Sequence, residues 1–168
     1  MLISEKYRKL NQDLHDRAVF GQRGARHAGV VRDMLREFGS GAVLDYGCGR
    51  ATLALELPEV QVHCYDPAVP KFAADPPVVD YVVCTDVLEH VEPACLADVL
   101  AHLRAKTLRL GHIVIATKLD GRKKLADGRD PHLIVEDAEW WRTKLEAHYG
   151  VVRLVNQSNR DCTFRVSP

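Results

Sequence analysis

The sequence predicts an α/β fold built on a doubly wound, mostly parallel sheet with an antiparallel last strand. Three observations predict it. Short apolar runs suited to buried strands alternate with stretches whose apolar residues recur at helical spacing. The first such run ends in a glycine-bearing turn that leads straight into a helical pattern. The last two runs are joined by the turn-rich Asn156-Gln157-Ser158-Asn159, which suits a hairpin. Alternation of this kind buries a parallel sheet beneath helices on both faces.

Taken in order, Tyr7, Leu10 and Leu14 share one helix face, as do Val31, Met34, Leu35 and Phe38 on a second helix. Gly39-Ser40-Gly41 stops that helix, and residues 42–46 form the first buried strand. Residues 51–57 make a short helix ended by Pro58, and residues 60–65 a second strand closing on Asp66-Pro67. Another strand covers 80–84. Pro93 is expected as the first residue of a helix whose buried stripe is Leu96, Val99, Leu100 and Leu103. A further strand covers 112–117, and a polar, glycine-containing stretch follows to Pro131. Asp137 is placed to cap a helix bearing Trp141 and Leu145. The strands 151–155 and 162–166 complete the sheet.

A chain of 168 residues accommodates one domain, divided here into a helical cap over 1–38 and a core over 39–168. Lys plus Arg and Asp plus Glu balance at 23 each, so no global field draws the chain to nucleic acid or a membrane surface. Residues 1–10 are mixed polar and charged, and no apolar run reaches the roughly 20 residues that span a bilayer. A cytoplasmic location follows as the expectation. Cys48, Cys64, Cys84, Cys95 and Cys162 form an odd set without a CxxC pair and read as reduced, small hydrophobes.

The turn after the first strand reads Asp45-Tyr46-Gly47-Cys48-Gly49. Glycines there let a nucleotide approach the backbone closely. A dinucleotide fingerprint requires a third glycine where Thr52 stands, which disfavours a nicotinamide cofactor. Asp45 repels a pyrophosphate and can engage the ammonium group of a methionine moiety. The second strand ends at Asp66, 21 positions later, where an acid accepts hydrogen bonds from both ribose hydroxyls.

With VLDYGCGRATLA (43–54), VHCYDP (62–67) and DYVVCTDVLEHVEP (80–93), the chain resembles the class I S-adenosylmethionine-dependent methyltransferases, which have a Rossmann-like fold. The resemblance covers about residues 30–166. It implies an S-adenosylmethionine site, with S-adenosylhomocysteine as product, held by Asp45, Gly47, Cys48, Gly49, Asp66 and Pro67. It sets Thr85, Asp86 and Val87 beside the transferable methyl group. One departure stands out. Thirteen residues, four of them proline, separate Asp66 from Asp80, where the family fits a full helix and a third strand. That region is expected to be shortened, with Asp75 a candidate for the adenine contact.

Methyl transfer from a sulfonium needs in-line positioning and a nucleophilic acceptor. A general base or a metal supplies the second. Asp86, Glu89 and His90 share a face if their turn is helical, and His132 returns to the same end of the sheet. His90 and His132 are therefore the candidate bases. Asp86, Glu89, His90 and His132 are the candidate ligands of a divalent metal such as magnesium. The D-x-x-E-H spacing resembles the E-x-x-E-H of ubiquinone-pathway O-methyltransferases and of small-RNA 2′-O-methyltransferases. The loop 118–132 carries Lys118, Arg122, Lys123, Lys124 and Arg129 against three aspartates and suits a substrate-facing role. Tyr7, Asn11, His15, Arg26 and His27 are lid candidates. No [DNS]-P-P-[YFW] follows the strand at 80–84, which argues against nitrogen methyltransferases of that type. The favoured acceptor is the oxygen of a small molecule. The alternatives are an RNA terminus or a non-catalytic cofactor-binding module.

Overall fold

The structure is a computed structural model that describes residues 1–17 and 21–168; residues 18–20 of the expected cap lie outside the described residues. Six strands form one sheet: β1 (Val43–Tyr46), β2 (Val62–Tyr65), β3 (Val79–Thr85), β4 (Thr107–Ala116), β5 (Val151–Gln157) and β6 (Asp161–Ser167), in the order β2-β1-β3-β4-β6-β5. The first four pair in parallel, and β6 alone runs against its neighbours β4 and β5. From β1 the chain steps outward to β2 and then crosses to β3 on the other side. The strand order reverses at that point, which opens a crevice at the C-terminal ends of β1 and β3.

The central strands β1 and β3 form where the chain is buried on both faces. All four residues of β1 are buried, and six of the seven in β3. The helices are α1 (Glu5–Arg17), α2 (Ala28–Phe38), α3 (Thr52–Glu56), α4 (Leu96–Lys106) and α5 (Ala138–Glu146). On one face, Val31 and Met34 of α2 and Leu53 of α3 pack on Val43, Tyr81 and Val83. On the other, α4 and α5 bury Leu100, Leu103, Trp141 and Leu145 against Leu44, Ile113, Ile115 and Phe164. Each such side chain taken from water contributes about 1.5–3 kcal/mol. Tyr7 and Leu14 of α1 make a third cluster with Leu125 of the loop after β4.

Asp137 caps α5 as expected, its Oδ1 accepting the Trp140 amide at 2.8 Å. Three details differ from the sequence reading. Pro93 opens a 3₁₀ turn, Pro93–Cys95, and α4 proper starts at Leu96. The fourth strand begins at Thr107 rather than His112, because residues 108–110 are exposed or half-exposed and of mixed polarity and so lack a strand signature. The helix expected over 51–57 is confined to Thr52–Glu56. The shortened segment is as expected: between Asp66 and Val78 there is one 3₁₀ turn, Pro70–Phe72, anchored by the Asp66 amide donating to the Phe72 carbonyl at 3.0 Å. Among the described residues, β2 therefore ends the sheet with one edge unpaired. Among the described residues, no helix is long and apolar enough to cross a membrane. All five cysteines are free, Cys64 half-buried and the others buried.

Candidate functional site

A cleft of about 370 Å³ lies at the reversal of strand order. The ends of β1, β2 and β3 form its floor, and the N-terminal segment forms its roof. The polypeptide reaches it through a turn that demands glycine. Gly47 has φ +80°, and a Cβ there would meet Val87 Cγ2 at 2.3 Å. Gly49 has φ +51°, and a Cβ there would lie 2.7 Å from the backbone of Gly21. The turn is tied to β2 by the Gly47 and Cys48 amides, which donate to the Tyr65 carbonyl at 2.7 and 3.0 Å.

Two carboxylates face this turn. Asp66, 7% exposed, accepts the Gly49 amide on Oδ2 at 3.0 Å and the Ala68 amide on Oδ1 at 2.9 Å. Asp45 is 3% exposed, and its Oδ2 has no hydrogen-bond partner among the described residues. Burial, followed by the proximity of Cys64 and Asp66, pushes its carboxyl up to about 8. A buried acceptor without a donor is costly unless a ligand supplies one. A cationic ligand group placed against Asp45 would restore its ionised form.

The next strand end carries a different chemistry. Asp86 has φ +55°, a left-handed conformation that costs a non-glycine residue on the order of 1 kcal/mol. Its Oδ1 accepts from Arg23 Nη1 at 3.1 Å, so the cleft is bridged at this point by an ion pair to its roof. Glu89 is fully buried. Its Oε1 accepts the Ala116 amide at 3.1 Å, its Oε2 has no partner among the described residues, and its carbonyl takes the amides of Leu133 and Ile134. Those last two bonds draw the loop after β4 back over the strand end and set His132 beside His90, with ring centroids 4.8 Å apart. His90 Nδ1 lies 2.8 Å from the Pro131 carbonyl and His132 Nδ1 lies 2.5 Å from the Lys118 carbonyl. A carbonyl oxygen only accepts, so both rings hold their proton on Nδ1, and Nε2 is the basic nitrogen of each. Burial, then the neighbouring His132, lowers His90 to about 3; burial, then Asp86, raises Glu89 to about 8.

One ligand atom from each of Glu89, His90 and His132 falls within 4.8 Å of the others. Asp86, expected as a fourth member, is not in this group and turns to Arg23 instead. The unpartnered Glu89 Oε2 and two histidines with carbonyl-fixed tautomers are the donor set and outer-shell bonding that a divalent metal takes.

Of the expected cofactor residues, Asp45, Gly47, Cys48, Asp66, Pro67, Thr85, Asp86 and Val87 line the cleft, and Gly49 acts through its amide on Asp66. Tyr7, Asn11, His15 and Arg26 also line it. His27 does not; its ring sits 5.9 Å from that of His112, on β4. Asp75 is not at the cleft either: it is held at the surface by His102 Nε2 at 2.9 Å and Lys106 Nζ at 2.7 Å. Among the cations of loop 118–132, Lys123 reaches the cleft, while Arg129 and Lys124 pair with Asp127 and Asp130. The sequence reading missed the stretch 21–24. Gly21 and Arg23 roof the cleft, the Gly21 carbonyl accepting the Arg50 amide at 2.9 Å. No local pattern marks that stretch, because its partners Gly49, Arg50 and Asp86 are distant in sequence.

No family model and no curated protein matches the chain. Solved structures do. The chain is similar to 1,6-didemethyltoxoflavin-N1-methyltransferase of Burkholderia thailandensis, solved with 1,6-didemethyltoxoflavin and S-adenosylhomocysteine (TM-score 0.65, 16% identity, 99% of this chain and 90% of that one). It is similar to magnesium protoporphyrin IX methyltransferase of Synechocystis PCC 6803, solved with S-adenosylmethionine (TM-score 0.63, 16% identity, 98% and 99%). A third is an S-adenosylmethionine-dependent methyltransferase of Archaeoglobus fulgidus (TM-score 0.56, 15% identity, 84% and 94%). The chain has the Rossmann-like fold of the class I methyltransferases.

Proposed function

We propose that this chain is an S-adenosylmethionine-dependent methyltransferase acting on an oxygen of a small molecule. The observation that carries the reading is Asp45: a buried carboxylate oxygen without a donor among the described residues, in one cleft with Asp66 and a glycine turn. In this reading Asp45 meets the ammonium group of the methionine moiety. The backbone at Gly47, Cys48 and Gly49 admits that moiety closely. Asp66, preset by two amides, takes the ribose hydroxyls, and Pro67 flanks the nucleoside. Thr85, Asp86 and Val87 border the methyl group.

His90 or His132 accepts the proton of the acceptor hydroxyl on Nε2 as its oxygen attacks the methyl carbon. The sulfonium sulfur keeps the electron pair of the broken bond, and S-adenosylhomocysteine leaves. Glu89, His90 and His132 are also the residues that would hold a divalent metal, which when bound lowers the pKa of a coordinated hydroxyl. A formal net charge of zero supports a small acceptor over RNA, as does the small-molecule substrate bound in the Burkholderia neighbour. Residues 1–38 act with the core 39–168 as one catalytic domain, and five free cysteines fit a cytoplasmic setting.

The test is transfer of a labelled methyl group from S-adenosylmethionine to a panel of phenols, alcohols and carboxylic acids. Product on a hydroxyl, reduced about 10²-fold in His132→Ala, supports the reading. Activity lost in a chelator and restored by magnesium assigns the histidines to a metal; activity indifferent to the chelator assigns them to proton transfer. Transfer to nitrogen alone, or to RNA termini alone, contradicts it.

A further inference from the structure

The turn that floors the cleft also carries a thiol, and a second thiol stands against it. Cys48 lies between the two glycines of the turn, 5% exposed, and lines the cleft. Cys64 is on β2 opposite Asp45, one residue before the Tyr65 carbonyl that the Gly47 and Cys48 amides share. These backbone bonds hold the two cysteines on adjoining stretches of chain, close enough that each thiol is the first influence on the other's acidity. Cys64 is half-buried on the strand whose outer edge is unpaired, because the segment after it makes a single 3₁₀ turn instead of a helix and another strand. The shortening that sets this chain apart thus begins directly after the half-buried cysteine of a pair whose other member lines the cleft.

We propose that Cys48 and Cys64 form a dithiol which a two-electron oxidant, such as hydrogen peroxide, closes into a disulfide that weakens ligand binding in the cleft. Cys64 is the sulfur that reacts first. It is the more accessible, and its thiol is lowered to about 7 by the neighbouring Cys48 thiol, with Lys71 of the 3₁₀ turn adding a smaller pull. Its thiolate attacks one peroxide oxygen, the O–O bond breaks, and a sulfenic acid and water result once the departing hydroxide takes a proton. Cys48 sulfur then attacks the sulfenic sulfur, the S–O bond breaks, and the Cys48 proton leaves with the hydroxide as a second water. Both thiols are oxidised and one peroxide is reduced to two waters. The new bond draws Cys48 toward β2. Gly47 and Gly49 move with it, and both are confined: one by Val87, the other by Gly21.

The consequence for binding rests on the cofactor reading above; the cross-link does not. The experiment treats the whole protein with hydrogen peroxide, blocks residual thiols with iodoacetamide and digests with trypsin. Cleavage at Arg36, Arg50 and Lys71 puts Cys48 and Cys64 alone in separate peptides, 37–50 and 51–71. The expected result is a linked 37–50/51–71 pair lacking two hydrogens and released by dithiothreitol. S-adenosylhomocysteine affinity, measured by calorimetry on the same samples, is expected to fall about ten-fold on oxidation and to recover on reduction. Cys64→Ser is expected to bind as the reduced protein does and to lose the response to peroxide. Oxidation that leaves peptides 37–50 and 51–71 unlinked overturns the proposal, and so does a linked pair with unchanged affinity. A reduced protein that binds no S-adenosylhomocysteine overturns the cofactor reading instead, while the peptide map still reports on the dithiol.

Discussion

Asp45 is 3% exposed, and burial holds its carboxyl protonated up to about pH 8 rather than the ordinary 3.8. The sign of its effect on folding follows. Below about pH 4 the group is neutral in both the folded and unfolded chain. As pH rises, the unfolded chain ionises first, so stability is lost progressively until the folded carboxyl ionises near 8. Glu89 acts in the same direction over the same window. Asp45→Asn removes the Asp45 part. Relative to the parent protein it is expected to gain at least about 1 kcal/mol of stability between pH 4 and pH 8, read from urea midpoints. The same variant is expected to lose affinity for S-adenosylmethionine; an unchanged affinity would remove Asp45 from the site. Asp45 and Asp66 were legible in the sequence because each sits at a fixed step from a strand end. Asp75 was not: its partners His102 and Lys106 approach from α4, 27 and 31 positions away. Nor was the pairing of Asp86 with Arg23, which removes it from the expected metal set.

Among the elements, the glycine turn and the N-terminal roof behave as one unit. A methyl group at position 49 would strike the Gly21 backbone, which cannot swing aside as a side chain can, and would also sit at an unfavourable φ. Gly49→Ala is expected to cost about 1–3 kcal/mol and to raise hydrogen exchange selectively over residues 21–27. Uniform exchange across the chain would mean that the roof is not docked on the turn. The α5 cap offers a cleaner measure of local stability, with Asp137→Ala expected to cost about 1 kcal/mol in thermal unfolding. Strands β1 and β3 were readable because they are apolar on both faces. The first half of β4 was not, since its residues 108–110 are exposed or half-exposed, and strand pairing rather than local pattern extends it. The shortened stretch after Asp66 was readable from its length and from its prolines, which deny a helix its amide donors.

Across the whole molecule, the reversal of strand order opens the cleft at the C-terminal ends of β1 and β3. The alternation of helix and strand along the sequence announced the parallel sheet but not the order of its strands. What also required the folded chain was the roof. Ser4 donates to Glu92 through its amide and hydroxyl at 2.8 and 2.7 Å, and Tyr7 donates to the His90 carbonyl at 2.6 Å. α1 is thereby fastened to the stretch that carries the candidate base. These bonds join positions more than 80 residues apart, so no pattern along the chain announces them. Tyr7→Phe keeps the packing and removes one such bond. It is expected to lower kcat while leaving S-adenosylhomocysteine affinity within about three-fold, since the hydroxyl positions His90 and not the nucleoside. A change in affinity with kcat intact would reverse that assignment. The most direct test of the site itself is calorimetric titration of the protein with S-adenosylmethionine and S-adenosylhomocysteine, beside Asp66→Ala. One-to-one binding of both, abolished in the variant, is the expected result. A folded protein that binds neither, with and without divalent metal, would contradict the cofactor site and with it the methyltransferase reading.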